Sequence, residues 1–359
     1  MSYKLLVINP GSTSTKVAVY VDKEQQWVES ITHSPEDLKP FKDVYDQLDM
    51  RTDMVTRCYE QHGDKVADFD AVVARGGLMP PVHAGAYEVN QYMIDMMHYH
   101  PQNVHASNMA AAIAEHVAKQ AGCKAYTYDA VAVDEMEGIY RITGLKEIER
   151  YGRGHNLNMR AAVINFCEQN DLDMKEKNIM SVHMGGGISV GLLSKGKIID
   201  MISDDEGPFS PERSGGLPAF RVIDLCYDEY PNKKAMMDHL KNEGGFMAHL
   251  GTTDLRDVEK MIENGDKHAE LIFDAMALNI AKNIAKLTVD VNGKVDYILL
   301  TGGMAFSDRL TKAIEERVGW IAPVRLMPGE KEMDSLAFGI LRVLNGKEDA
   351  DKLEGVCEK

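Results

Sequence analysis

The sequence predicts an α/β protein of two similar domains facing each other across a cleft. Three observations predict it: a three-strand plan that occurs twice, helical periodicity between and after the two copies, and a length of 359 residues, beyond which a single core usually stops growing. The first copy is "KLLVINPGSTSTKVAVYVDKEQQWVES". It holds a β-rich run at 5–8, a small-residue turn at 9–14, a strand at 15–21, a charged turn at 22–25, and a third run through Trp27, Val28 and Ile31. The second copy is "NIMSVHMGGGISVGLLSKGKIIDMIS", with strands at 179–183, 188–193 and 198–202 and the glycines Gly185, Gly186 and Gly187 in its first turn. An internal duplication of this kind points each first turn into the cleft.

Between the copies, "NMAAAIAEHVAKQAG" places Met109, Ile113 and Val117 on one helical face and ends on Gly122 as a C-cap. Later, "LIFDAMALNIAKNIAKLTVDVNG" repeats the pattern with Ile272, Met276, Ile280, Ile284 and Leu287. The strand in "VDYILLTGG" then meets a glycine pair, and Ser307 is placed to cap the next helix. The charged "NGKEDADKLEGVCEK" reads as a fraying tail. The expected domains are 1–147, completed by a C-terminal helix at about 334–359, and 148–333.

Composition narrows the chemistry. A formal charge of -16 disfavours nucleic acid and anionic membranes as partners, so an anionic substrate must be met by locally placed cations, backbone N–H groups or metal. Five cysteines without a CxxC pair suit free thiols in a reducing, cytoplasmic setting. No window approaches a membrane span, and the short apolar stretch before Pro10 is no signal peptide. The 22 methionines are assigned to filling core gaps. In "MMHYHPQNVHASN", His98, His100 and His105 lack nearby partners for zinc, and the stretch reads as a pocket-lining loop leading into a helix cap. Which of His98 and His100 lines that pocket stays open.

With the two hairpins, a third glycine turn in "TGGMAF" and the segment "SPERSGGLP" in hand, the chain resembles the acetate and propionate kinase family of the actin-like ATPase superfamily. "INPGSTSTK", "HMGGGISVG", "GPFSPERSGGLP" and "PGEKEMDSLA" look like its butyrate kinase branch, in family order from about residue 3 to about 345. The resemblance implies two duplicated ribonuclease H-like domains and the use of ATP/ADP with Mg2+. It implies reversible in-line transfer to a short-chain carboxylate, butyrate or a branched relative, giving an acyl phosphate, and a homodimer or larger oligomer. Acetate or propionate as acceptor, a sugar kinase, and a nucleotide-gated switch without an acceptor are the alternatives.

On this reading Ser12, Thr13 and Ser14 offer N–H and O–H groups to phosphate oxygens. Lys16 adds charge unless strand alternation turns it away. No GxxxxGK[ST] occurs, so this is not a P-loop. Gly185, Gly186 and Gly187, with His183 beside them, grip the same phosphates, and Gly302 and Gly303 resemble the turn against which adenosine packs. A carboxylate acceptor is already ionised at neutral pH and needs no general base; it needs charge compensation. Arg213 matches the family's catalytic arginine and His155 the histidine on the transferred group. Arg75 matches the arginine for the substrate carboxylate, with a strand-end ion pair as its alternative. Asp129 is assigned to orienting an arginine or to the metal shell. Asn9 and Glu332 match the Mg2+ region, with Glu330 as the neighbouring choice.

Overall fold

Apolar residues on both faces make the first strand central. In β1 (Lys4–Pro10), Leu5, Leu6, Val7 and Ile8 are all fully buried, the pattern of a strand covered on each side. It pairs antiparallel with β2 (Ser14–Val21), which pairs antiparallel with β3 (Glu24–Thr32). On its other edge β1 runs parallel to β4 (Ala71–Arg75), and β4 parallel to β6 (Lys124–Tyr128); β5 (Ala86–Glu88) is antiparallel to β6. The computed structural model describes residues 2–355 and 357. These strands belong to a first compact unit, Met1–Asp134 with Lys331–Lys359; the second unit is Glu135–Glu330.

In the first unit, Leu6 and Ile8 face a core that includes Ile113 and Val117 of helix Ala110–Ala121. Gly122 ends that helix at φ 72, a left-handed conformation that costs glycine little. Helix Glu332–Leu344 packs on β1 and β4. It stops at Leu344, earlier than the C-terminal helix expected from the sequence. The charged tail that follows does not fray where it is described: Ala350–Asp351 pairs parallel with β5, and the Asn90 Nδ2 group donates to the Leu353 carbonyl at 2.7 Å. An open sheet edge offers unpaired N–H and C=O groups, and the tail satisfies them despite its charge. Of the last four residues only Cys357 is among those described.

The second unit repeats the plan. β7 (Asn178–Met184), β8 (Ile188–Ser194) and β9 (Lys197–Ile202) form an antiparallel meander, β10 (Tyr297–Gly302) lies parallel to β7, and β11 (Val324–Pro328) parallel to β10. The order β11-β10-β7-β8-β9 matches β6-β4-β1-β2-β3 strand for strand, and both second-to-third strand pairs carry one register shift. Alternation sends Met180, Val182 and Met184 into the core built with helices Lys267–Lys286 and Asp308–Val318. Each such buried side chain stabilises by about 1.5–3 kcal/mol. The same alternation turns Ser181 and His183 toward helix Asn156–Gln169, where the Ser181 hydroxyl donates to the Met159 carbonyl at 3.3 Å.

Residues 135–147, expected in the first domain, pack with the second unit. Glu135 accepts from the Ile198 N–H at 3.1 Å, and Met136 joins the core with Met159 and Val163. Local pattern could not place this stretch, because its anchors are distant in sequence.

One charged cluster in this unit has a pH signature. Arg150 binds Glu206 at 2.8 Å and Asp200 at 3.1 Å. Burial first, then the charge of Asp200 and the hydrogen bond to it, push the Asp290 carboxyl up to about 6. The folded value exceeds the unfolded value of about 4, so this group's contribution is full below that value and is lost as pH rises through about 6. Asp290→Asn is therefore expected to be more stable than the parent at about pH 8, with the gap closing below about pH 5. Urea midpoints measured across that range check it; a gap independent of pH counts against the assignment.

Candidate active site

The first unit gathers three of the sequence's candidates. Glu332, in the first turn of its helix, accepts from the Asn9 Nδ2 group at 2.8 Å through Oε2 and from the Arg75 Nη1 group at 3.0 Å through Oε1. Arg75 thus has a carboxylate partner at the end of β4, and about a third of its side chain remains exposed. Lys16 is exposed and in register with Asn9, so it lies on the same sheet face. Asp129 is buried at φ 40, and its Oδ1 accepts from the Gly85 N–H at 2.8 Å. His98 is stacked between Tyr45 and Tyr99, with centroids at 3.8 and 4.1 Å. His105, the helix-cap histidine, is lowered by burial first and by the charges of Arg75 and Arg51 next.

The turn that carries Ser12, Thr13 and Ser14 has a support that the sequence does not show. Its neck is closed by the Gly11 N–H donating to the Ser14 carbonyl at 2.7 Å. Beneath it lies Arg51, fully buried, on helix Leu48–Gln61. The guanidinium donates to the carbonyls of Gly11 at 2.9 Å and Ser12 at 3.2 Å, to the Thr15 hydroxyl at 3.0 Å, and to Gln47 Oε1 at 2.8 Å. The carbonyls are drawn down onto Arg51, and Ser12 and Thr13 stay exposed. In sequence Arg51 sits in "LDMRTDM", between two aspartates, and reads as a solvated helix face.

The second unit brings His155, His183, the glycine corner and Arg213 together. The imidazoles of His155 and His183 stack at 4.1 Å between centroids. His155 Nδ1 is 3.0 Å from the buried Ser189 hydroxyl, which fixes the ring and puts Nε2 on the opposite edge. His183 is fully buried, and among the described residues its nitrogens find no hydrogen-bond partner, although Glu330 Oε1 lies 3.3 Å from Nε2. A buried imidazole held this way is costly unless something polar meets it.

Close approach explains the glycines. A Cβ on Gly187 would sit 2.7 Å from Arg213 Nη1, and one on Gly185 would sit 3.1 Å from both Glu330 Oε1 and His183 Nε2. The Arg213 guanidinium is paired with Asp204, and burial lowers its pKa. Its loop is tied by the Ser210 N–H donating to the Arg213 carbonyl at 3.0 Å and by the Ser210 hydroxyl donating to the Gly186 carbonyl. A cavity of ≈ 940 Å³ is lined by residues that include Gly185, Gly186, Glu212, Arg256, Gly303 and Phe306. Gly302 itself is locked at φ 87 against the Met184 carbonyl, where a Cβ would lie 2.4 Å away. A lining that joins glycines, polar side chains and the exposed Phe306 suits a nucleotide.

Two units repeating one strand plan define the duplicated actin-like ATPase fold. Solved structures agree: an acetate kinase of Porphyromonas gingivalis has a TM-score of 0.80 at 18% identity, covering 95% of this chain and 100% of that one. An acetate kinase of Entamoeba histolytica has a TM-score of 0.72 at 17% identity, covering 94% and 98%. The profile of the Acetokinase family matches residues 139–314. A probable butyrate kinase 2 of Caldanaerobacter subterraneus is 44% identical over 96% of this chain and 98% of its own length. Butyrate kinase 2 of Clostridium acetobutylicum is 40% identical over 98% and 99%. The chain belongs to the acetokinase family, among the butyrate kinases.

Proposed function

We propose that the protein transfers the γ-phosphoryl group of ATP to the carboxylate of a short-chain acid, butyrate or a branched relative, forming an acyl phosphate and ADP reversibly. It is a phosphotransferase with a carboxyl acceptor. The observation that carries the reading is the Arg213 guanidinium over the Gly187 corner, packed so closely that a Cβ on Gly187 would sit 2.7 Å from Nη1. Identity of 44% and 40% to butyrate kinases over nearly the whole chain supports the choice of acid.

In this assignment the cavity beside Gly303 takes the nucleoside and the corner of Gly185 to Gly187 takes its phosphates; in the first unit the family resemblance gives the turn of Ser12 to Ser14 a phosphate-binding part. The acid arrives ionised, so no residue removes a proton, and repulsion between carboxylate and phosphate is the barrier to overcome. Arg213 and the His155 Nε2 edge neutralise charge spread over the transferred group, and Arg75 holds the acid's carboxylate. Arg75 uses one of its five N–H donors on Glu332 Oε1, and a second anion has the rest of the fork to compete for. Asp129 acts as a buried positioning group. Mg2+ fits the oxygen donors of Glu332 and Asn9, already joined at 2.8 Å, which would hold it through water. When bound it offsets charge on the phosphate oxygens.

Among the described residues no helix is long and apolar enough to cross a membrane. A cytoplasmic location and assembly as a homodimer or larger oligomer belong to the same proposal, resting on the acidic, CxxC-free composition and the family resemblance.

An acyl-hydroxamate assay with ATP and acids from acetate to valerate, with isobutyrate and isovalerate, tests the reading. The expected result is hydroxamate in every active case, with the highest kcat/KM for butyrate or a branched acid. Slow ATP hydrolysis with no hydroxamate from any acid would overturn it and favour a nucleotide-gated switch.

A further inference from the structure

A second cluster of ligating side chains lies in the first unit, on residues that the kinase reading does not use. Glu29 projects from β3, the last strand of its sheet, while Cys58 lies in the last turn of helix Leu48–Gln61 and His62 is that helix's C-terminal cap. Four residues apart, Cys58 and His62 share a helical face. His62 Nε2 is 2.8 Å from Glu29 Oε2, and the carboxylate oxygen, imidazole nitrogen and thiol sulfur all lie within 4.8 Å of one another. Cys58 is buried; Glu29 and His62 face solvent, so water can reach the trio's open side. The imidazole is also held from behind. Trp27, two residues before Glu29 and therefore on the same strand face, stacks on it at 4.0 Å and 10°, and the indole N–H donates to Asp64 at 2.7 Å.

We propose that Glu29, Cys58 and His62 bind one thiophilic divalent cation, Zn2+ by the chemistry of the set, with water as fourth ligand. One thiolate, one imidazole and one carboxylate suit zinc and reject Mg2+, which takes oxygen alone. Donors around a tetrahedral ion with bonds of about 2.0–2.3 Å stand roughly 3.3–3.8 Å apart, a spacing the trio reaches by side-chain rotation. Binding displaces the thiol proton to solvent, so affinity rises with pH. The ion would tie the edge strand β3 to the end of helix Leu48–Gln61.

The test uses the full chain, stripped with chelator and free of nucleotide and Mg2+, titrated with Zn2+ in equilibrium dialysis and with Co2+ by absorption. Expected are one equivalent of Zn2+, a thiolate-to-Co2+ charge-transfer band, and quenching of tryptophan fluorescence by Co2+ through the stacked Trp27. His62→Ala, a surface change that leaves the core intact, should weaken Zn2+ by more than about tenfold, the loss that removal of even an outer partner causes. Cys58→Ala should abolish the band, and both variants should retain acid phosphorylation. Substoichiometric Zn2+, a band that survives Cys58→Ala, or unchanged affinity in His62→Ala overturns the proposal and leaves a hydrogen-bonded trio with no ion.

Discussion

Arg213→Ala is expected to lower kcat by about 10³-fold or more, the scale on which arginine donors act in phosphoryl transfer, while ADP affinity changes little. Two anions must meet during the reaction, and the charge that builds on the transferred group has to be compensated by donors already in place. Arg213 is held firmly: its loop is tied to the glycine corner through Ser210, and its guanidinium is paired with Asp204. Arg213→Lys keeps the charge and loses the planar fork, so its rate should fall between those of the parent and the alanine variant. Steady-state hydroxamate formation alongside ADP titration separates the two effects. A kcat within tenfold of the parent for Arg213→Ala would remove Arg213 from the chemistry.

The second large effect is expected at Arg51, which is fully buried beneath the first turn. Arg51→Met deletes the donor shared by the part-buried Gly11 and Ser12 carbonyls and the buried Thr15 hydroxyl and Gln47 oxygen, at a cost of about 1–3 kcal/mol for each buried acceptor left unmet. Because those acceptors form the inner lining of the turn that presents Ser12 and Thr13, the KM for ATP should rise as stability falls. Thr15 links the same network to His33, its hydroxyl lying 2.8 Å from Nε2, and burial first and the Arg51 charge next lower that histidine's pKa. Without Arg51, His33 should titrate closer to its ordinary value, which NMR of the imidazole protons would read. Urea midpoints and ATP saturation curves give the other two quantities. A variant as stable as the parent, with unchanged KM, would mean the turn holds its shape alone.

Much of the fold was legible because its signals are local. Period-two alternation and small-residue turns marked both three-strand meanders, although the third strand of the first begins at Glu24, inside the expected charged turn, and Gly122 and Ser307 marked helix ends through cap chemistry. Where local signals conflicted with an available partner, reading the chain failed. The charged tail looked unable to pack, yet β5 offered it an open edge. Residues 135–147 carried no periodicity strong enough to show that they belong with the second unit.

The sequence by itself determined the duplicated strand plan and the glycine corners, and it put His183 two residues before the corner it meets. Only the tertiary structure decided how these groups are held: Arg51 beneath a turn about forty positions earlier, Ser189 against His155, Glu332 joining Asn9 to Arg75, and Glu29 meeting Cys58 and His62. The reason is physical. Strand alternation and turn chemistry are set by neighbours along the chain, whereas a buried hydrogen-bond network is chosen by which distant side chains the packed elements bring within about 3 Å, and no run of residues encodes that.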